Sequence, residues 1–116
     1  MAEIVRALSI KQPFVEMILR GDKTKEYRGQ ATNIRERVYL YASLKPRDWP
    51  AGWKKIGKQP GDLPAGLIVG TVEIVDCKKR RDGDYTWILS NPKRLRRHLV
   101  PTNQPQPVFW RPQFQP

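Results

Sequence analysis

The spacing of apolar and polar positions near the N-terminus predicts one clear helix, over residues 13–20. Phe14, Met17 and Ile18 recur at helical spacing there and give the helix one apolar face. Gly21 follows directly, where a left-handed C-cap favours glycine. We therefore expect a short helix that packs one face on a core.

Most of the remaining apolar positions have the short period or the β-branched content that is typical of strands. The predicted strands are residues 4–8, 23–28, 37–42, 67–75, 85–89 and a closing V-F-W-R at 108–111. Gly70 interrupts the most apolar of these and indicates a bulge or a close approach by a ligand or another backbone. Residues 91–97 are predicted as a helical turn with Asn91 as its N-cap.

Residues 44–66 are too rich in proline and glycine for regular structure throughout. Within them, W-P-A-G-W-K-K-I predicts one or two helical turns with Trp49, Trp53 and Ile56 on one side. Five or six short strands with one main N-terminal helix and short helical turns predict an α+β fold, a small mixed β-barrel. At 116 residues the chain is expected to form a single domain, 1–116.

Composition excludes several classes of site. The single Cys77 rules out an internal disulfide, and with one histidine, His98, a cysteine- or histidine-based metal site is not expected. We predict no cofactor. We find no apolar run long enough to span a bilayer and no signal-peptide core, so we expect an intracellular, cytoplasmic protein without a membrane partner.

The net charge of +11 points to an anionic partner, with nucleic acid ahead of a membrane surface. Two dense clusters predict a phosphate-facing basic rim: Lys78, Lys79, Arg80 and Arg81, and Lys93, Arg94, Arg96 and Arg97. The alternative is that the basic charge merely keeps the protein soluble.

The segment G-D-K-T-K-E-Y-R at 21–28 is crowded with charge. If it is a strand, Lys23, Lys25 and Tyr27 share one face, and Thr24, Glu26 and Arg28 share the other. Whichever face turns inward carries a charge, and that charge must be paired with an opposite charge or have a functional role.

Five short motifs, in order, resemble the ASCH family of small PUA-like β-barrels. They are L-S-I-K-Q-P-F (8–14), the G-D-K-T-K-E-Y-R run, Y-A-S (41–43), V-G-T-V-E-I-V-D-C (69–77) and Y-T-W-I-L-S-N-P (85–92). The resemblance implies a PUA-like barrel with a cleft beside the first helix, and an association with RNA or modified nucleotides. Some small relatives hydrolyse N4-acetylcytidine with a lysine, a threonine and a glutamate, and others are assigned nuclease activity.

Carried onto this sequence, the resemblance aligns Lys23 and Glu73 with the lysine and glutamate of those hydrolases. Glu26 stands where they have the threonine nucleophile, and a carboxylate cannot be activated as an alcohol. Thr24 is two residues early, which along a strand is about 6.5–7 Å. The catalytic residues, if the protein is an enzyme, would be Lys23, Thr24 and Glu73.

Our principal hypothesis is a nucleic-acid-binding domain for single-stranded RNA, a flipped base or a modified nucleoside. The ligand-binding residues expected in a polar cleft are Ser9, Gln12, Lys23, Glu26, Arg28, Ser43 and Glu73. The alternative is a small hydrolase acting on N4-acetylcytidine-like nucleosides or on RNA phosphodiesters. A third hypothesis treats the tail P-Q-P-V-F-W-R-P as a ligand for a protein partner.

Overall fold

A computed structural model describes residues 3–116, which form six strands, two α-helices and one 3-10 turn. The strands are β1 (Ala7–Ile10), β2 (Lys25–Arg28), β3 (Arg37–Ala42), β4 (Leu67–Lys79), β5 (Tyr85–Leu99) and β6 (Phe109–Trp110). The helices are α1 (Phe14–Leu19) and α2 (Pro50–Ile56), and the 3-10 turn is Pro60–Asp62. The predicted α+β fold class is confirmed.

The six strands form one curled sheet in the order β2-β5-β4-β3-β1-β6. Strands β1 and β3 are parallel and the other neighbours are antiparallel, so the sheet is mixed. Two contacts draw its distant parts together. Arg28 on β2 donates to the Ser9 carbonyl on β1 at 3.0 Å, and the Trp87 ring on β5 stacks on Phe109 of β6. The result is the small half-barrel that the PUA-like resemblance implies.

The core fills the inside of this curl. Its fully buried side chains come from the sheet and from one face of α1: Leu8, Val15, Ile18, Val38, Leu40, Val72, Ile74 and Trp87. Burying such side chains stabilises the fold by about 1.5–3 kcal/mol each. Helix α1 ends at the predicted cap, since Gly21 has φ +82° and the next backbone N–H, of Asp22, donates to the Met17 carbonyl at 2.9 Å.

Gly70 marks an irregularity in β4, as predicted. The β4–β5 register shifts between Ile68 and Gly70. A Cβ atom at Gly70 would lie 2.7 Å from the Lys93 carbonyl oxygen and 2.5 Å from a methyl carbon of Leu19. The missing side chain therefore lets β5 and the end of α1 approach β4 together.

The predicted helical turn at 91–97 is wrong, because these residues continue β5. Asn91 has φ +52°, and a register shift between the Ser90–Glu73 and Lys93–Thr71 pairs lets the strand bend through Asn91 and Pro92 without losing β4. Other strand boundaries also move. Strand β1 covers Ala7–Ile10 rather than 4–8, β2 begins only at Lys25, β4 continues to Lys79, and β6 is limited to Phe109–Trp110.

The predicted helical turns within 44–66 are confirmed as α2. Trp53 and Ile56 are buried against Met17 of α1, and Trp49 stacks on Phe14 with ring centroids 5.5 Å apart. The Trp53 indole N–H also donates to the Arg47 carbonyl at 2.9 Å. Helix α2 is thereby fixed to the face of α1 that the sheet leaves uncovered.

Candidate functional site

A cleft of about 480 Å³ opens where β1 ends, beside α1, β2 and the C-terminal segment. Its lining residues are Ser9, Ile10, Lys11, Phe14, Lys23, Glu26, Tyr27, Arg28, Ser43, Arg47, Pro107 and Val108. Five of the seven predicted ligand-binding residues are therefore brought together: Ser9, Lys23, Glu26, Arg28 and Ser43.

Glu26 supplies a buried carboxylate to this cleft and is only 7% exposed. Arg28 donates from Nε and Nη2 to the same oxygen, Oε2, at 2.9 and 2.8 Å. The other oxygen, Oε1, lies 3.4 Å from the Lys23 ammonium. Since this longer contact is the one salt bridge made by Oε1 among the described residues, that oxygen can accept a further hydrogen bond from a ligand.

Arg28 both orients Glu26 and closes the sheet. While two of its nitrogens hold the carboxylate, Nη2 also donates to the Ser9 carbonyl, and the guanidinium lies 5.5 Å from the centre of the Trp87 ring. The planar guanidinium group is thus held by the Glu26 carboxylate, the Ser9 carbonyl and the Trp87 ring. Its position at the cleft is thus set before any ligand arrives.

Lys23 lies in the turn before β2 rather than on the strand. Its ammonium donates to the Lys25 carbonyl at 2.5 Å and lies 5.2 and 5.3 Å from the ring centres of Phe14 and Tyr27. Because β2 starts later than expected, Lys23 and Glu26 meet at the cleft despite being predicted on opposite faces. A cation between two aromatic rings suits an anionic or aromatic ligand.

The C-terminal segment builds the opposite wall. The Ser9 hydroxyl donates to the Gln106 carbonyl at 2.7 Å and accepts from the Trp110 indole at 2.9 Å, and the Ser9 amide donates to the Val108 carbonyl. Ser9 therefore holds this wall in place. Val108 has φ +68°, which is rare and costly for a β-branched residue.

Three of the predicted ligand-binding or catalytic residues do not line the cleft. Gln12 is buried, where its side chain accepts from the Glu16 amide and donates to the Pro64 carbonyl. Glu73 pairs with Arg37 at 3.1 Å and accepts from Asn91. Thr24 lines neighbouring cavities rather than this one. The structure therefore does not gather Lys23, Thr24 and Glu73 in the cleft.

Sequence reasoning missed several lining residues. Lys11, Tyr27, Arg47, Pro107 and Val108 all line the cleft, and two of them add positive charge. The sequence signal that could have identified Lys11 as a lining residue was its position directly before the Q-P-F motif. Arg47 and the C-terminal residues lie in irregular segments, where no periodicity indicates direction.

The two basic clusters occupy different settings. The first lies at the β4–β5 hairpin, where Arg80 sits 4.8 Å from the Tyr27 ring centre and so adjoins the cleft. The second follows the bend of β5, where Lys93, Arg96 and Arg97 are exposed. Arg94 is instead committed to Glu16 by hydrogen bonds of 2.9 and 3.0 Å.

The pairing with Arg94 lowers the pKa of Glu16. Burial alone would raise the pKa of Glu16, but hydrogen bonds and charge from Arg94 and Arg20 outweigh it and hold the pKa below its usual value.

Among residues 3–116 there is no cluster of three or more His, Cys, Asp or Glu side chains that could hold a metal ion. None of the helices in this part of the chain has the length and apolarity to cross a bilayer.

Comparison with known proteins identifies the family. The model of the ASCH domain matches residues 8–99. Activating signal cointegrator 1 from Homo sapiens is 26% identical over 111 residues, and its Mus musculus counterpart is 27% identical over 112. Each alignment covers 76% of this chain and 19% of the relative, so the chain spans about a fifth of their length. With most of its residues matched and the PUA-like half-barrel in place, the chain belongs to the ASCH domain family.

Proposed function

We propose that the protein binds single-stranded RNA, or another nucleic acid with one base turned out of its stack, and holds that base in the cleft. The observation that carries this proposal is the composition of the cleft. Four cationic side chains, the Phe14 and Tyr27 rings and one buried carboxylate line a space of about 480 Å³. Aromatic rings can stack on a base, and the cations can contact its phosphates.

Base-edge contacts fall to the Glu26–Arg28 pair. Because Arg28 occupies Glu26 Oε2 with two hydrogen bonds, the carboxylate is held with Oε1 free for a donor. Exocyclic amino groups of cytosine or adenine are such donors. The neighbouring Lys23 ammonium, 3.4 Å from Oε1, can serve the adjacent acceptor on the same base edge.

Phosphate contacts fall to cations around the opening. Lys11 and Arg47 line the cleft and are exposed, and the hairpin cluster reaches it through Arg80 on Tyr27. For single strands, log affinity falls with log salt by about 0.7 per phosphate contacted. A strand that contacts several of these cations would therefore bind with a steep salt dependence.

The experiment is a salt series of fluorescence anisotropy titrations with labelled RNA oligonucleotides. Wild type should show a steep slope, and the double substitution Lys11→Ala, Arg47→Ala should weaken binding and flatten the slope. Lys55→Ala removes an exposed lysine of α2 that does not line the cleft, and should change little. Affinity that is independent of salt, or an equal loss in both variants, would contradict the proposal. A free modified nucleoside would bind with little salt dependence.

Hydrolysis of a modified cytidine or of RNA phosphodiesters is the alternative. Of the residues proposed for it, Lys23 and Thr24 share a neighbouring cavity, but only Lys23 lines the cleft, and Glu73 is bound to Arg37. The absence of Thr24 and Glu73 from the lining of the cleft supports binding over catalysis there. The docking-peptide hypothesis for the tail loses its basis, because Phe109–Trp110 form β6 and Trp110 is buried.

A further inference from the structure

A second cleft, of about 440 Å³, adjoins the first. It is lined by Phe14, Met17, Asp22, Lys23, Thr24, Lys25, Tyr27 and Trp49. Three of these side chains, Phe14, Lys23 and Tyr27, also line the first cleft. The two spaces are therefore neighbours separated by one ridge of an ammonium group and two aromatic rings.

The geometry points to this second cleft as the subsite for the nucleotide next to the one held in the first cleft. The inference rests on the proposed function. Its occupant would be a second base, with the linking phosphate lying across the ridge near the Lys23 ammonium.

Exposed aromatic surface supports a stacked base. Tyr27 is 54% exposed and Trp49 is 38% exposed, which is unusual for rings of this size. Both are fixed: Trp49 stacks on Phe14, while cations from Lys23 and Arg80 lie over Tyr27 at 5.3 and 4.8 Å. Rigid, exposed rings give stacking energy with little ordering cost.

Charge also fits a nucleotide. Lys23 and Lys25 supply two positive charges to the second cleft, against the single carboxylate of Asp22. Lys25 is exposed on the edge strand β2, where a backbone phosphate can reach it. The flanking hairpin adds further positive charge from Arg80 beside Tyr27, which also favours a polyanionic strand.

The test compares a mononucleotide, a dinucleotide and a trinucleotide of the same base by calorimetry and by tryptophan fluorescence. A stacked second base should raise affinity about tenfold from the mononucleotide to the dinucleotide. Trp49→Ala should remove most of that gain, and Trp49→Phe should retain most of it. Quenching on dinucleotide addition should come from Trp49 and be lost in Trp49→Phe, since Trp53, Trp87 and Trp110 are buried.

Lys55→Ala serves as the matched control and should preserve the gain, and thermal melting verifies that each variant folds. Equal affinity for the mononucleotide and the dinucleotide, with Trp49→Ala behaving as wild type, would overturn the second subsite while leaving the proposed function standing. Failure of every oligonucleotide to bind would overturn both. Binding of a dinucleotide that Trp49→Phe retains and Trp49→Ala loses supports the subsite.

Discussion

Arg94 on β5 donates hydrogen bonds to both carboxylate oxygens of Glu16 on α1, at 2.9 and 3.0 Å. Arg20 adds a third, to Oε2, at 2.8 Å. Glu16 is 8% exposed, so its charge depends on these partners. The pair ties the helix that borders the cleft to the bent part of the longest strand.

Removing the ion pair between Arg94 and Glu16 should destabilise the domain. Arg94→Ala leaves the buried carboxylate with Arg20 alone, and should lower the free energy of unfolding by about 1–2 kcal/mol. Arg96→Ala, two residues along the same strand and exposed, should cost less than about 0.5 kcal/mol. Urea denaturation of both variants measures the difference. Equal losses would show that the Glu16 pair adds nothing beyond an ordinary surface arginine.

The same pair predicts a pH dependence. Because the folded pKa of Glu16 is lowered from 4.5, its pairing stabilises the protein fully above that value. The contribution is lost as pH falls through the folded pKa, where the carboxylate becomes protonated. Melting temperatures between neutral pH and strong acid should therefore fall less in Glu16→Gln than in wild type. Parallel curves would mean that other carboxylates govern the acid transition.

Gly70→Ala should be strongly unfavourable. The new methyl group would meet the Lys93 carbonyl at 2.7 Å and Leu19 at 2.5 Å, so β5 or α1 must shift. Overpacking of this kind costs about 1–3 kcal/mol. Gly61→Ala is the control, since its Cβ would meet nothing within 4 Å and φ there is not positive. Chemical denaturation should separate the two, and a neutral Gly70→Ala would refute the close approach.

Glu26→Gln tests the base-edge contact. The amide keeps the shape but loses the charge that holds Arg28, and it can present a donor where the carboxylate only accepts. Affinity for a cytosine-containing oligonucleotide should fall about tenfold, with a smaller loss for uracil. Anisotropy titrations of paired oligonucleotides measure the ratio. An unchanged ratio would place Glu26 outside the base contact.

Glu26→Thr tests the hydrolase alternative. If the missing hydroxyl were the sole obstacle, this variant would release acetate from N4-acetylcytidine, which chromatography detects. We expect no turnover, because Glu73 is held by Arg37 and Asn91 away from the cleft. Activity in Glu26→Thr that disappears in the double variant with Lys23→Ala would restore the enzymatic reading.

The local sequence predicted the elements in which the spacing of apolar residues matches the side of the element that is buried. Helix α1 and strand β3 fall into this class, because Phe14 and Ile18 of α1 pack on the same core as alternate residues of β3. Met17 packs against α2 instead, and the two tyrosines of β3 lie in a second cluster. In β5 the spacing is ambiguous. Leu95 and Leu99 are four residues apart, which places them on one face of a helix and equally on one face of a strand, and both pack against the cluster around Tyr41 and Trp110. Pairing with β4 decided the outcome.

Site prediction met a similar limit. The charged motif at 21–28 was recognisable because buried charges need partners, and Lys23, Glu26 and Arg28 did converge. Glu73 was ambiguous because a strand residue can face either side, and its cross-strand neighbour Arg37 is known only from the register. Directions of side chains in irregular segments, such as Arg47, depend on tertiary packing alone.

The wall formed by Pro107 and Val108 lies beyond residues 8–99, the part that matches the ASCH family model. One side of the cleft is thus contributed by a segment outside the matched residues, held by Ser9 and by the two-residue strand β6. The same segment also belongs to the fold, because Trp110 is buried and the Phe109 ring stacks on Trp87, the ring over which the Arg28 guanidinium lies. A replacement of the residues behind position 99 would therefore alter the cleft wall and the packing beneath the arginine–carboxylate pair together.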